Sequence, residues 1–106
     1  MNDRVVRVCG ADELELGKPQ RFVVEGAAIC VVRCADAVYA IDDVCSHEDV
    51  SLSEGDVDAE ACEIECWKHG SLFSLVTGDP QCLPATRPVR TYEVRADHDG
   101  VSVVLS

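Results

Sequence analysis

The sequence is short of basic residues: nine Lys and Arg stand against 20 Asp and Glu, which gives a formal net charge of −11. Proteins that bind nucleic acid need clustered cations to displace counterions from the phosphates. Binding to an anionic membrane surface needs basic residues as well. The charge balance therefore argues against both partners and favours a soluble protein that meets basic partners.

The sequence also lacks a membrane span, a secretion signal and an even set of cysteines. Its longest uninterrupted apolar run, residues 27–32, is far shorter than the roughly 20 residues of a transmembrane helix. Residues 1–7 show no charged-then-apolar pattern with a small-residue cleavage site. The seven cysteines are an odd number, whereas secreted domains pair theirs in disulfides. We therefore expect a cytoplasmic protein whose clustered Cys and His residues serve metal or redox chemistry.

Signals for α-helix are nearly absent, and short β-type runs dominate the chain. The runs are rich in Val and Ile, and turn-forming pairs such as Glu25-Gly26 and Asp99-Gly100 separate them. They cover residues 4–9, 21–25, 28–34, 37–41, 62–66, 72–76, 89–95 and 101–105. One or two helical turns are expected at residues 11–16. Because 106 residues leave room for one core, the pattern predicts a single all-β domain, residues 1–106, built as an antiparallel sandwich or small barrel.

Two short motifs carry metal-binding side chains: Cys45-Ser46-His47 and Cys66-Trp67-Lys68-His69. Each supplies a thiolate and an imidazole, and 18 residues lie between the two motifs. Gly70 follows the second motif, where we expect a tight backbone bend and no room for a bulky side chain beside a bound centre. Two Cys and two His residues fit either a tetrahedral structural zinc ion or a 2Fe–2S cluster with both thiolates on one iron.

The motifs and their order resemble the Rieske family, and in particular its soluble ferredoxins. The family pattern is Cys-x-His, a gap, Cys-x-x-His-Gly, an aromatic residue and a Thr-Gly turn. This chain matches the later part of the pattern with Gly70, Phe73, Thr77-Gly78 and a third loop at Leu83-Pro84-Ala85. The resemblance implies a 2Fe–2S cluster bound by Cys45, His47, Cys66 and His69.

The resemblance also implies a fold and a function. The fold is an antiparallel all-β sandwich or barrel base with a small cluster-binding subdomain, approximately residues 43–86, inserted as the loops 45–50 and 66–73. The function is one-electron transfer from a flavin reductase to a multicomponent non-haem iron oxygenase, such as an aromatic-ring dioxygenase. The electron enters and leaves through His47 and His69, whose outer ring edges are exposed at the tip. Because the sequence has no nucleophile–base pair and no phosphate-binding loop, we expect an electron carrier rather than an enzyme.

Two alternative functions fit the same residues. A Rieske protein of this size could serve iron–sulfur cluster assembly instead of an oxygenase. A zinc-stabilised interaction module without a redox role would use the same four side chains.

Residues around the motifs predict a low reduction potential. High-potential Rieske proteins join their two loops by a disulfide, and Val50 and Lys68 stand at the corresponding positions. Phe73 stands where those proteins have a Tyr that donates a hydrogen bond to a ligand sulfur, whereas Ser71 keeps one donor. Because fewer hydrogen bonds to sulfur stabilise the reduced state less, we expect the low end of the Rieske range, roughly −150 mV.

The other charged and thiol side chains receive simpler interpretations. Residues 48–65 carry eight acidic residues and no basic one. Such a run fits an ordinary solvated surface, but its position between the two motifs also fits a surface that steers basic partners to the tip. Trp67 is expected to shield the cluster from water, and His98 to lie in a solvated turn. The five remaining cysteines are interpreted as thiols, three of them in the core and two nearer the motifs: Cys9, Cys30 and Cys34, then Cys62 and Cys82.

Overall fold

Antiparallel strands account for the regular structure in the computed structural model, which describes residues 4–35, 37–46, 50–68, 70–82 and 87–105. The strands are β1 (Arg4–Cys9), β2 (Gln20–Val24), β3 (Ala27–Arg33), β4 (Val38–Asp42), β5 (Val57–Asp58), β6 (Glu63–Glu65), β7 (Leu72–Ser74), β8 (Thr91–Ala96) and β9 (Val101–Leu105). Six of them form a base sheet in the order β1-β9-β8-β4-β3-β2. The edge strands β1 and β2 contact each other, so this sheet nearly closes into a barrel. The all-β antiparallel prediction is confirmed.

The second sheet is small and carries the segment between the two motifs. Its three antiparallel strands lie in the order β5-β6-β7. Ile64 is paired with Val57 on one side and with Phe73 on the other, which sets an apolar row across the sheet. Cys62 and Cys66, predicted as the ends of one strand, lie just outside β6, and Cys62 has a positive φ of 57°.

Strand β3 is buried on both faces, which explains why it holds the longest apolar run. Ile29 and Val31 pack into a cluster within the base sheet. Cys30 and Val32 point the other way, into a second cluster that we call the upper core. Its members are Cys30, Val32, Cys34, Ile41, Cys45, Leu52, Cys62, Ile64, Cys66, Phe73, Leu75 and Val89. A strand between two cores is continuously apolar, because both of its faces exclude water.

The predicted turn at Glu25-Gly26 is present in the structure, whereas the predicted helix is mostly absent. Glu25 and Gly26 join β2 to β3 with φ values of 49° and 86°, the left-handed pair typical of a type I′ hairpin. The helix expected at residues 11–16 is reduced to one 3₁₀ turn (Ala11–Glu13), and a second 3₁₀ turn (Leu52–Glu54) lies after the first motif. Within the described residues, no helix is long and apolar enough to cross a membrane.

Candidate metal centre

The two motif cysteines occupy equivalent positions in two hairpin loops. The Cys45 N–H donates to the Val50 carbonyl at 3.0 Å, and the Cys66 N–H donates to the Ser71 carbonyl at 2.7 Å. In each loop the acceptor is the fifth residue after the cysteine. An antiparallel pair lies beneath each loop: Val44 with Ser51, and Glu65 with Leu72. The two loops therefore present their cysteines in the same way, although the Cys–His spacings of the motifs differ.

Both cysteines are buried in the upper core. Cys45 is 4% exposed and Cys66 is 1% exposed, and the ring of Phe73 belongs to the same cluster. A thiolate in such surroundings needs a compensating positive charge, and a metal centre supplies one. The structure thus brings the two predicted thiol donors into one buried cluster. The predicted donors His47 and His69, and the third loop Leu83-Pro84-Ala85, lie outside the described residues.

Gly70 gives the second loop its sharp bend. Its φ is 74°, and its N–H donates to the Cys66 carbonyl at 2.9 Å. The predicted bend is therefore confirmed. A Cβ built on Gly70 would meet no atom of the described residues within 4 Å, so the left-handed backbone, not crowding by these protein atoms, requires glycine here.

Hydrogen bonds connect each of the two cysteine-containing loops to a residue beside the predicted third loop. The Ser46 hydroxyl, next to Cys45, donates to the Arg87 carbonyl at 2.5 Å. The Cys82 thiol donates to the Gly70 carbonyl at 3.5 Å. Cys82 is exposed, and its contact is with backbone, which agrees with its interpretation as a non-ligand.

A buried carboxylate beside the first loop is the main feature that the sequence pattern misses. Asp43 is 1% exposed. Its carboxylate accepts hydrogen bonds from Arg21 Nε at 3.1 Å, from the Ser53 N–H at 3.0 Å and from the Ser51 hydroxyl. Its sequence signal is an acidic residue two positions before Cys45, which the surrounding acidic residues conceal.

The remaining predicted residues fall into buried and exposed groups. Cys9, Cys30 and Cys34 are buried and form no disulfide, so their assignment to the core is confirmed. Cys62, predicted only as a non-ligand near the motifs, is buried as well. Burial, and then the Asp43 carboxylate, raises the pKa of Cys30 and keeps it protonated. Trp67 is 52% exposed, so about half of this side chain faces solvent. His98 is exposed, as expected, and lies 3.5 Å from the Asp99 carboxylate.

Negative charge is concentrated in the segment that contains both motifs. Residues 43–86 carry one Lys and ten acidic residues, a net charge of −9, against −2 for the rest of the chain. Six of these residues form what we call the acidic flank: Glu54, Asp56, Asp58, Glu60, Glu63 and Glu65. All six are at least partly exposed, and none forms an ion pair with a Lys or Arg of the described residues.

The acidic flank runs along the small sheet. Glu65 is adjacent to Cys66, whereas Glu60 lies in the turn between β5 and β6. That turn contacts the far end of β3, where the Ala35 N–H donates to the Ala59 carbonyl at 3.2 Å. The acidic flank therefore extends from the second motif to the far end of β3, while Glu48 and Asp49 lie outside the described residues.

Comparisons with known proteins identify the architecture around these loops. The family profile of the Rieske [2Fe-2S] domain matches residues 4–93. Ferredoxin CarAc of Metapseudomonas resinovorans is 38% identical over 104 residues, which cover 97% of this chain and 95% of that protein. The solved ferredoxin of carbazole 1,9a-dioxygenase from Nocardioides aromaticivorans IC177 is 42% identical, with a TM-score of 0.92 over 96% of this chain and 98% of that one. A structure described as a complex of reduced oxygenase and oxidized ferredoxin in carbazole 1,9a-dioxygenase is 37% identical, with a TM-score of 0.84 over 92% and 99% of the two chains. Because the profile spans most of the sequence, this chain belongs to the Rieske [2Fe-2S] domain family, whose cofactor is a 2Fe–2S cluster.

Proposed function

We propose that the protein is a one-electron carrier that takes electrons from a flavin-dependent reductase and passes them to a non-haem iron oxygenase. The pair of equivalent loops carries this proposal, because each loop combines a buried cysteine with a histidine two or three residues later. The relatives support it, since they are named as ferredoxins and one was solved with an oxygenase. We place the protein in the cytoplasm, in agreement with seven cysteines that form no disulfide.

We propose Cys45, His47, Cys66 and His69 as the cluster ligands. Two thiolates and two imidazoles are the Rieske donor set. The two described donors, Cys45 and Cys66, both lie in the upper core. When bound, the cluster supplies a one-electron centre, because its oxidised form is neutral with this donor set and readily accepts one negative charge. We further propose that residues 1–106 form one domain and that residues 43–86 form its cluster-binding part.

The surface beside the buried cysteines is suited to transient contact with a protein partner. Val44 precedes Cys45 and is 46% exposed, and Trp67 follows Cys66 and is 52% exposed. Exposed apolar side chains next to a functional centre are typical of docking surfaces, and Trp is frequent among the residues that dominate binding energy. We propose that both redox partners contact these two side chains.

Purified protein tests the proposed cofactor and function together. We expect red-brown protein with two irons and two sulfides per chain, and on reduction an EPR signal whose average g lies below the free-electron value. The reduced protein is then mixed with the oxygenase component of an aromatic-ring dioxygenase, and single-turnover oxidation is followed. A colourless, zinc-containing protein would instead support the interaction module.

Charge reversal in the acidic flank is expected to slow electron transfer at low salt. The variant Asp56→Lys places a cation at an exposed position of the flank, where Asp56 forms no ion pair with any described Lys or Arg. Because electrostatic steering is screened by salt, we expect association with a basic partner to slow about threefold to tenfold at low ionic strength, with little difference at about 0.5 M salt. Stopped-flow spectroscopy measures both rates.

The matched control for this test is Asp12→Lys. It changes the net charge equally, but on the exposed 3₁₀ turn of the base, and its effect should be smaller. If both variants slowed transfer equally at every salt concentration, net charge and not the acidic flank would control the encounter.

A further inference from the structure

Asp43 fastens both ends of the first ligand loop to the base sheet. On the side where the chain leaves β4, the Asp43 N–H donates to the Ala28 carbonyl of β3 at 3.0 Å. On the returning side, the Leu52 N–H donates to the Asp43 carbonyl at 2.6 Å, and the Ser53 N–H donates to its carboxylate at 3.0 Å. Because both ends of the loop are held by one residue, the position of Cys45 relative to β3 depends on Asp43.

Arg21 of β2 compensates the charge of this carboxylate. Its Nε lies 3.1 Å from Asp43 Oδ2, and among the described residues it is the one cation in contact with Asp43. The Asp43 side chain is 1% exposed, whereas that of Arg21 is 53% exposed. A charge excluded from water is weakly screened and acts over a longer distance than a surface charge. Without Arg21, an uncompensated negative charge would therefore stand two residues from Cys45.

We infer that the Arg21–Asp43 ion pair positions the first ligand loop and tunes the reduction potential of the centre that the loop holds. The inference rests on the proposed ligand set. Since the neutral oxidised centre becomes negative on reduction, an unpaired Asp43 carboxylate would oppose reduction, and an unpaired Arg21 guanidinium would favour it. Both residues act through the loop and through their charge, and neither contacts iron.

Two opposite charge deletions in the cluster-containing protein test the inference. Redox titration followed by visible circular dichroism gives the ratio of reduced to oxidised protein at one fixed potential. We expect Arg21→Gln to lower this ratio about threefold to tenfold and Asp43→Asn to raise it by a similar factor, with the double variant close to the parent protein. Both single variants should lower the thermal midpoint, because each removes the Arg21–Asp43 ion pair. A purely structural role would shift stability in this way without opposite shifts in potential.

Two arginine variants serve as controls. Arg33→Gln removes the same charge at the far end of β3, where the guanidinium donates to the Leu14 carbonyl at 3.3 Å, and it should leave the potential unchanged. Arg21→Lys keeps the charge and should restore most of the shift caused by Arg21→Gln. If Asp43→Asn fails to hold a cluster, the inference is tested by the potentials of Arg21→Gln, Arg21→Lys and Arg33→Gln alone.

The possible failures are distinguishable. Shifts of the same sign in both single variants, or no shift in Arg21→Gln, would overturn the inference and leave the proposed function intact. Absence of any redox transition in the parent protein would overturn the proposed function itself.

Discussion

Replacing Cys66 by serine is expected to abolish cluster binding. A serine hydroxyl stays protonated at neutral pH and is a harder donor than the thiolate that iron–sulfur centres require. The backbone bond from residue 66 to Ser71 does not involve the sulfur, so the loop itself keeps its closing contact. Cys45→Ser should behave in the same way, because Cys45 has the equivalent place in the first loop. Iron and acid-labile sulfide per chain, with visible circular dichroism, measure the loss.

Cys34→Ser is the matched control for the cysteine variants. Cys34 is 3% exposed and belongs to the same upper core, but it lies outside both ligand loops. We expect a loss of about 1–3 kcal/mol of stability from burying a hydroxyl, with a full complement of iron. If Cys34→Ser also lost its cluster, the integrity of the core and not ligation would explain the result for Cys66.

Histidine variants complete this test of the ligand set. His47→Ala and His69→Ala should each lose the cluster, since each removes one of the two imidazoles that we propose as ligands of the second iron. The chain offers its own control in His98, whose side chain is 91% exposed. His98→Ala should keep the spectrum of the parent protein.

Strands with a clear pattern could be predicted from the sequence, and strands made by tertiary contact could not. β1 and β9 begin and end where the apolar runs do, because their Val-rich sequences suit an extended, half-buried surface. The two-residue strand β5 has no such run. It pairs with β6 where Gly55 allows close approach: a Cβ there would lie 1.7 Å from the Glu65 carbonyl oxygen. A contact of this kind depends on residues ten positions apart and leaves no periodic signal.

The candidate site likewise has features that could be predicted from the sequence and features that could not. The motif spacing predicted Cys45 and Cys66 as a pair of donors, because donor type and order are properties of the sequence, and the structure places both in the upper core. The equivalence of their loops was hidden, since it depends on backbone hydrogen bonds that any residue type can form. Asp43 was missed because burial, not residue type, separates it from the acidic residues that follow. The half-exposure of Trp67 could not be predicted, because an aromatic residue in a motif has no sequence feature that reports its exposure.

The variant Gly78→Ala is expected to be severely destabilised, because two independent costs meet at this residue. Gly78 has a φ of 79°, a left-handed conformation that costs a residue with a side chain about 1–2 kcal/mol. A Cβ would also lie 2.1 Å from the Val89 carbonyl oxygen. Val89 is not free to move away from this Cβ, because it is buried in the upper core and its N–H donates to the Gly78 carbonyl at 2.9 Å. We expect a total loss of about 3–5 kcal/mol and a fall in thermal midpoint on the order of 10–20 °C.

The control variant Gly26→Ala measures the cost of the left-handed backbone alone, without the steric clash that is expected at residue 78. Gly26 has a φ of 86°, but a Cβ there would meet no atom of the described residues within 4 Å, so only the left-handed cost of about 1–2 kcal/mol applies. Thermal unfolding of both variants gives the difference directly, and equal losses would show that the Val89 carbonyl moves aside at little cost. If Val89 can move only together with its chain neighbours, the displacement must reach Arg87, two residues earlier, whose carbonyl accepts the Ser46 hydroxyl bond. Because Ser46 lies between Cys45 and His47, Gly78→Ala should then also alter the visible circular dichroism of the cluster, whereas Gly26→Ala should leave it unchanged.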